Sequence, residues 1–360
     1  MTSDDAAGGP MRANVVGLGL IGGSIALGLR SHGWHVSGDD VVDGRAAEAV
    51  RRGVVDQAGI DADADITFVA VPVLAAVDAV QHALKATTGV VTDVGSVKGA
   101  VGTGVDDERF VGGHPMAGSE LEGLDGADAS MFNGAVWVLT PTPATSHVTL
   151  SMVTKAVRLL GAEMVAMTPA RHDEMVAVVS HVPHLTAASL MGVAADGAEE
   201  HAALLRLAAG GFRDMTRIAS GHPDIWLDIC EQNRPAIVSA LDRLIDGLTD
   251  MREIVSTSDR DGLLGRLQRA RAARSNLPSR ISRPEQLAEV RIPIPDRLGA
   301  AAEIFTLAAR ESVNIASFEV VHLAESNTGV AVVLVDADAA VRYRDALASH
   351  GFRPAITPLS

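Results

Sequence analysis

The sequence predicts an α/β chain in three parts: a doubly wound, mostly parallel sheet, a central all-α region, and a small α+β module at the C-terminal side. Three observations carry this. Strand-like apolar runs alternate with helix-compatible segments as far as residue 168, the pattern of a parallel sheet covered on both faces. From 169 to 256 the apolar residues recur at helical spacing, as Leu241, Leu244, Ile245 and Leu248 do. From 288 the rhythm becomes β-α-β-β-α with a further short strand near Arg353 to Ile356, a split βαβ order. At 360 residues the chain is long for one core, and the expected parts are a tail at 1–12, a sheet domain at 13–168, a helical domain at 169–256, a linker at 257–287 and a module at 288–360.

Composition removes several function classes. The net charge of -15 and pI near 5.2 oppose a nucleic-acid surface, because phosphates would be repelled. An anionic small molecule remains open if a local arginine receives it. The opening MTSDDAAGGPMR has acids and no apolar run, so no signal peptide is expected. No window approaches the roughly 18 uninterrupted apolar residues of a membrane span. Cys230 is the single cysteine, which excludes an intramolecular disulfide and a cysteine-cluster metal site and suits a reducing cytoplasm.

The first element is the most informative. A short apolar strand from Ala13 runs into Gly17-Leu18-Gly19-Leu20-Ile21-Gly22, a helix with Ile25, Leu27 and Leu29 follows, and a second strand from Trp34 to Gly38 ends at Asp39-Asp40. This strand, glycine turn, helix, strand and acid order is that of a dinucleotide-binding unit of Rossmann type. Gly17 permits the tight turn, Gly19 admits a pyrophosphate, and Gly22 lets helix and strand pack closely, with phosphate charge at the helix N-terminus. Asp40 stands 18 residues beyond Gly22, near the usual spacing of about 20. An acid there accepts from ribose hydroxyls and repels a 2'-phosphate, so NAD is favoured over NADP. Asp40 is the favoured acceptor and Asp39 the alternative.

Further strands are predicted at Ile66 to Val71, Val90 to Asp93, Arg109 to Gly112, Val136 to Leu139 and Met164 to Met167. Val71 and Pro72 close the third strand where a ligand crevice opens, beyond the carboxyl ends of the strands, and are expected to touch the cofactor. Ser96 and His114 leave the following strands on the same side. Thr168-Pro169 reads as an N-cap followed by proline at the first helical position. The arginine-rich stretch 257–284 reads as a solvated surface helix and a linker.

The loop GGHPMAGSE, Gly112 to Glu120, is expected to be a glycine-hinged turn that presents His114 with no cysteine or acid triad beside it. An imidazole with a pKa near 6.5 can take a proton from a hydroxyl at neutral pH while hydride leaves the same carbon. A structural turn histidine is the alternative. Ser96 would share that hydroxyl or orient the nicotinamide, or else cap the next helix. His181 and His184, spaced i, i+3, lack the third ligand and carboxylates of a metal site, so a substrate contact is preferred and no metal is expected. Gly210-Gly211 ends one helix and begins another. Arg217 is expected on the apolar side of the new helix beside Ile218, with Asp214 or a substrate carboxylate as partner.

GLGLIGGS, TDVGSVK, GGHPMAGSE, SHVPH and GGFRDMTRIA, in this order, resemble the prephenate and arogenate dehydrogenases of tyrosine biosynthesis over roughly residues 11 to 285. The tail PDRLGAAAEIFTLAARESVNIASFEV is similar to an ACT regulatory module, which implies a βαββαβ domain and L-tyrosine as a ligand. The resemblance implies NAD-dependent oxidative decarboxylation of prephenate to 4-hydroxyphenylpyruvate, and a homodimer is expected because the helical part has more apolar faces than a single sheet needs to cover. On the matching motifs, His114 would contact the ring hydroxyl, Ser96 would assist it by the nicotinamide, and Arg217 would hold the ring carboxylate. His184, Gly210, Trp226 and Ser119 would contact substrate, with Glu120 at the pocket mouth. Arogenate as substrate and a non-catalytic nucleotide-sensing regulator are the alternatives. A β-hydroxy acid dehydrogenase would want a lysine between Pro169 and Ser256, and there is none.

Overall fold

The computed structural model describes residues 10–118, 121, 123–200, 204–221, 223–275, 287–295, 299–322 and 328–358. Two compact units emerge, Met1–Glu253 and Ile254–Ser360.

The first unit is built on a sheet of eight strands: β1 (Arg12–Val16), β2 (His35–Asp39), β3 (Gln57–Ala58), β4 (Ile66–Val69), β5 (Val90–Asp93), β6 (Phe110–Pro115), β7 (Val136–Thr140) and β8 (Glu163–Ala166). Their order is β3-β2-β1-β4-β5-β6-β7-β8. The first six follow the order of a dinucleotide-binding sheet, with the chain reversing direction between β1 and β4. All neighbours are parallel except β6 and β7. A parallel step needs a crossover helix. The link between β6 and β7 holds only a 3₁₀ turn at Gly123–Gly126 among its described residues, and β7 returns antiparallel.

Helices α1 (Leu20–Ser31), α2 (Arg45–Arg51), α3 (Ala76–Ala86), α4 (Gly99–Gly104) and α5 (His147–Leu159) cover the sheet. One apolar cluster joins Ile25 and Leu29 of α1 to Val153 and Val157 of α5 through Phe68, Trp137 and Leu139. A second joins Val80 and Leu84 of α3 to Val91, Val101 and Phe110. The expected tail ends earlier than predicted. Arg12 already pairs with His35, and its N–H donates to Asp65 Oδ2 at 2.8 Å.

The helical segments are α6 (Pro169–Val176), a π turn (Ala177–His181), α7 (Val182–Glu200), α8 (Gly210–Thr216), α9 (Pro223–Gln232) and α10 (Arg234–Ser256). Thr168 caps α6 as its sequence predicts: its side chain accepts the Arg171 N–H, with Pro169 in the first turn. Pro169–Gly197 is long and apolar enough to cross a membrane by length and composition. It nonetheless begins with buried His172 and Asp173, both hydrogen bonded inside the fold.

In the second unit, α11 (Arg260–Ser275) occupies the first part of the expected linker, and 276–286 lie outside the described residues. The module that follows has β9 (Leu287–Pro295), α12 (Ala300–Arg310), β10 (Ile315–His322), β11 (Thr328–Asp336), α13 (Ala337–Ser349) and β12 (Ala355–Pro358). Its antiparallel sheet has the order β10-β11-β9-β12, the βαββαβ arrangement that its rhythm predicts. Ile304, Leu307, Tyr343 and Leu347 pack on Val290, Ile292 and Val333. Tyr343 is fully buried, its hydroxyl donates to Ile304 O at 2.9 Å, and burial pushes its pKa up to about 12.

Candidate active site

The glycine turn is shaped by contact as well as by conformation. Gly17 has φ +93°, and a Cβ there would lie 2.3 Å from Ala70 O. A Cβ on Gly22 would lie 1.9 Å from Gly17 O, so the first turn of α1 rests on the turn itself. Gly19 meets nothing within 4 Å and is the N-cap of α1 with no side chain over it. Leu18 is fully buried, while Leu20 and Ile21 are partly so. The result is an open cradle at a helix N-terminus, the shape a dinucleotide phosphate requires.

The two acids at the end of β2 divide their work. Asp39 contributes its carbonyl to the Gly17 N–H at 2.8 Å. The Asp40 side chain, 4% exposed, accepts the Leu18 N–H and the Val42 N–H, each at 2.8 Å, and pairs with Arg45 at 3.2 Å. Asp40 is thus the acid that braces the turn. Val71 and Pro72 follow β4, and the Val71 side chain lies 3.3 Å from where a Gly17 Cβ would stand.

His114 departs from its expected setting. It lies inside β6, opposite Val138, rather than on a hinged loop. Gly112 and Gly113 are there for space: a Cβ on Gly112 would lie 2.5 Å from Thr140 Oγ1 and 3.3 Å from Lys98 Cδ, and one on Gly113 would lie 2.7 Å from Asp93 O. Their absence lets β6 lie against a buried ion pair, Asp93 and Lys98, whose side chains are 0% exposed. Asp93 also accepts N–H groups from Gly95 at 2.9 Å and Gly113 at 3.3 Å. Gly118 is the last described residue of the GGHPMAGSE stretch, and Ser119 and Glu120 lie outside the described residues.

An acid-linked chain does stand beside His114, contrary to the sequence expectation. His114 Nδ1 lies 2.8 Å from His172 Nε2, and His172 Nδ1 lies 2.8 Å from Asp173 Oδ1. The Asp173 carboxylate also accepts the N–H groups of Lys98 at 2.8 Å and Gly99 at 2.7 Å. It therefore caps α4, and the alternative of Ser96 as that cap falls away. Ser96 remains half-buried on the turn between β5 and α4. Asn233 donates to Asp173 O at 2.9 Å and lies 3.2 Å from His181 Nδ1. The π turn brings His181 to this position at 1% exposure. Such turns recur at functional sites.

Burial holds the His114 pKa well below 6.5, with His172, Lys98 and His181 adding to the effect. Burial takes His181 down to about 4, assisted by His172 and opposed by Asp173, and it also lowers His184. Lys98 is lowered by burial against the pull of Asp93 and Asp173. Unfolded imidazoles titrate near 6.5, so below that pH the unfolded chain binds more protons than the folded one. The stability these rings contribute is complete above pH 6.5 and is lost as pH falls toward about 4. Calorimetry is expected to show Tm falling from about pH 7 to about pH 5. A flat Tm there contradicts neutral burial of the rings.

The remaining predicted residues gather at the helical side. His184 and Trp226 stack with centroids 3.6 Å apart at 14°, and His181 meets Trp226 edge-on at 6.0 Å. A Cβ on Gly221 would lie 3.4 Å from His184 Cε1, so the 3₁₀ turn Arg217–Ser220 leads directly to this stack. Arg217 is exposed on that turn beside Ile218, which is 39% exposed, rather than on the apolar face of a helix. The reason is that α8 has only seven residues and ends at Thr216. Gly210 and Gly211 form its first turn, with Gly210 exposed, rather than closing an earlier helix.

A nucleotide cradle and a half-buried, uncharged imidazole at the carboxyl ends of the strands of one sheet define a dinucleotide-dependent oxidoreductase. Residues 25–166 match the family described as prephenate dehydrogenase, nucleotide-binding domain, and residues 168–269 match its dimerization domain. The prephenate dehydrogenase of Bacillus subtilis (strain 168) is 32% identical over 341 residues, covering 90% of this chain and 92% of that protein. Synechocystis arogenate dehydrogenase superposes with a TM-score of 0.66 at 32% identity, covering 74% of this chain and 100% of that one. For A. aeolicus prephenate dehydrogenase in complex with hydroxyphenyl propionate and NAD+, the TM-score is 0.70 at 28% identity, over 76% of this chain and 100% of that one. The chain belongs to the prephenate dehydrogenase family, and residues 25–166 are its nucleotide-binding part.

Proposed function

We propose that this enzyme oxidises prephenate with NAD and releases CO2, giving 4-hydroxyphenylpyruvate and NADH. The observation that carries the reading is His114, a half-buried imidazole whose charged form is disfavoured, near the carboxyl end of β6 on the side of the sheet that carries the glycine turn. NAD, when bound, supplies the hydride acceptor. His114 takes the proton of the ring hydroxyl as hydride leaves the carbon bearing it. The bond to the ring carboxylate then gives its electron pair to the ring, CO2 departs, and the proton returns to the phenol oxygen. Ser96 orients the hydroxyl, and Asp40 receives the ribose beside the turn it braces.

His184, Trp226 and Gly210 line the substrate side, and the Arg217 guanidinium receives the ring carboxylate through its planar fork. Arg217→Ala is expected to raise KM for prephenate and to cost about 2 to 5 kcal/mol in transition-state binding, with the larger change in KM. Steady-state NADH formation checks this, and a wild-type KM would remove Arg217 from the site. The likeness to an arogenate dehydrogenase supports arogenate as a second substrate. Assays with each substrate separate the two readings, and absence of NADH with both would leave a non-catalytic nucleotide sensor.

The helical region is the proposed homodimer face. Val179, Val193 and Leu227 are 66%, 71% and 70% exposed in the single chain, within the stretch matching the dimerization domain. Burying such side chains contributes about 1.5–3 kcal/mol each. Sedimentation equilibrium giving a monomer would remove the dimer.

A further inference from the structure

We infer that His172 and Asp173 are positioning residues that fix His114 as the Nδ1–H tautomer, so that Nε2 is the one ring nitrogen able to take the substrate proton. The argument starts at the acid. Asp173 receives two backbone N–H groups, from Lys98 and Gly99, so its oxygens act as acceptors. The His172 nitrogen 2.8 Å away must therefore donate, which puts the proton of that ring on Nδ1. A neutral imidazole carries one N–H, so His172 Nε2 is an acceptor. Its partner at 2.8 Å, His114 Nδ1, must then be the donor. That leaves His114 Nε2 bare. With both rings neutral, the direction of every proton in the chain follows from the backbone donors that anchor Asp173.

The setting makes the direction hard to reverse. His172 is 0% exposed and Asp173 8%, so neither exchanges its partner for bulk water. Asn233 fastens the Asp173 backbone carbonyl, and the charged groups around the chain, Asp93 and Lys98, are paired with each other. With the opposite tautomer, His114 would present an N–H to the substrate hydroxyl and could not accept its proton. The same arrangement, a carboxylate holding an imidazole in one tautomer, orients the base in hydrolase triads.

The catalytic consequence rests on the reading of His114 as the base; the tautomer itself does not. Nitrogen-15 NMR of histidine-labelled protein without ligand tests the latter, with the His114 signals identified by their loss in His114→Asn. The expected result is a protonated Nδ1 and a bare Nε2. A protonated Nε2 in the wild type overturns the inference.

Kinetics test the consequence. His172→Leu removes the acceptor for His114 Nδ1–H, and kcat is expected to fall at least about 10-fold with KM for prephenate little changed. His172→Gln keeps a carbonyl oxygen facing His114 and an N–H facing Asp173, so it should recover most of that loss. Equal impairment in both variants, or wild-type kcat in His172→Leu, overturns the positioning role. If His172→Leu fails to fold by circular dichroism, the glutamine variant and the wild-type spectrum still decide. If the wild type oxidises neither prephenate nor arogenate, the functional reading fails while the spectrum alone judges the tautomer.

Discussion

His114→Asn is expected to lower kcat by about 10² to 10⁴ with little change in KM for prephenate, the range for loss of a positioned general base. Asparagine is the informative replacement. Its side-chain amide can donate toward His172 Nε2 as His114 Nδ1 does, so the buried chain to Asp173 keeps its partners. What it lacks is a basic nitrogen. A histidine at this place is neutral across the physiological range because burial, His172, Lys98 and His181 all disfavour its charged form. The base is therefore ready without a prior deprotonation, and the acid limb of kcat/KM should fall below pH 6.5. Steady-state NADH formation measures both effects. Wild-type turnover in the variant would place the proton acceptor elsewhere.

The sequence makes the local parts of this enzyme readable because their causes are local. The glycine turn, the acid near the end of β2 and the Thr168-Pro169 helix start are each fixed by residues within a turn or a strand of one another. His114 stands out as a polar group among small residues, yet its setting is misread. Gly112 and Gly113 look like a hinge, whereas their cause is the Asp93–Lys98 pair and Thr140, which approach only after the sheet assembles. The chain His114, His172, Asp173 joins residues on β6 and α6, and no periodicity announces it. A trace of it exists. An Asp directly after a His in the first turns of a capped helix is a candidate orienting acid, and an Asp and a Lys flanking Val94-Gly95-Ser96-Val97 are candidates for a pair closing that turn. The π turn that seats His181 carries no sequence mark at all.

That closing pair is where the largest loss of stability is expected. Asp93→Ala should destabilise the fold by about 3–5 kcal/mol, the range for removing one partner of a buried ion pair. The reason is what stays behind. Lys98 is 0% exposed and would keep either an uncompensated charge or an unsolvated amine, and burial already pulls its pKa down with Asp93 in place. The N–H groups of Gly95 and Gly113 would lose their acceptor as well. Chemical denaturation of the variant measures the loss. The double variant Asp93→Leu with Lys98→Met should recover much of the stability, since apolar groups of similar volume leave no stranded charge. Its activity should stay low all the same. The Gly113 N–H that Asp93 holds immediately precedes His114, and in the double variant it has lost its acceptor. If the single variant is as stable as the wild type, the pair is not closed in solution, and the seating of β6 against it must have another cause.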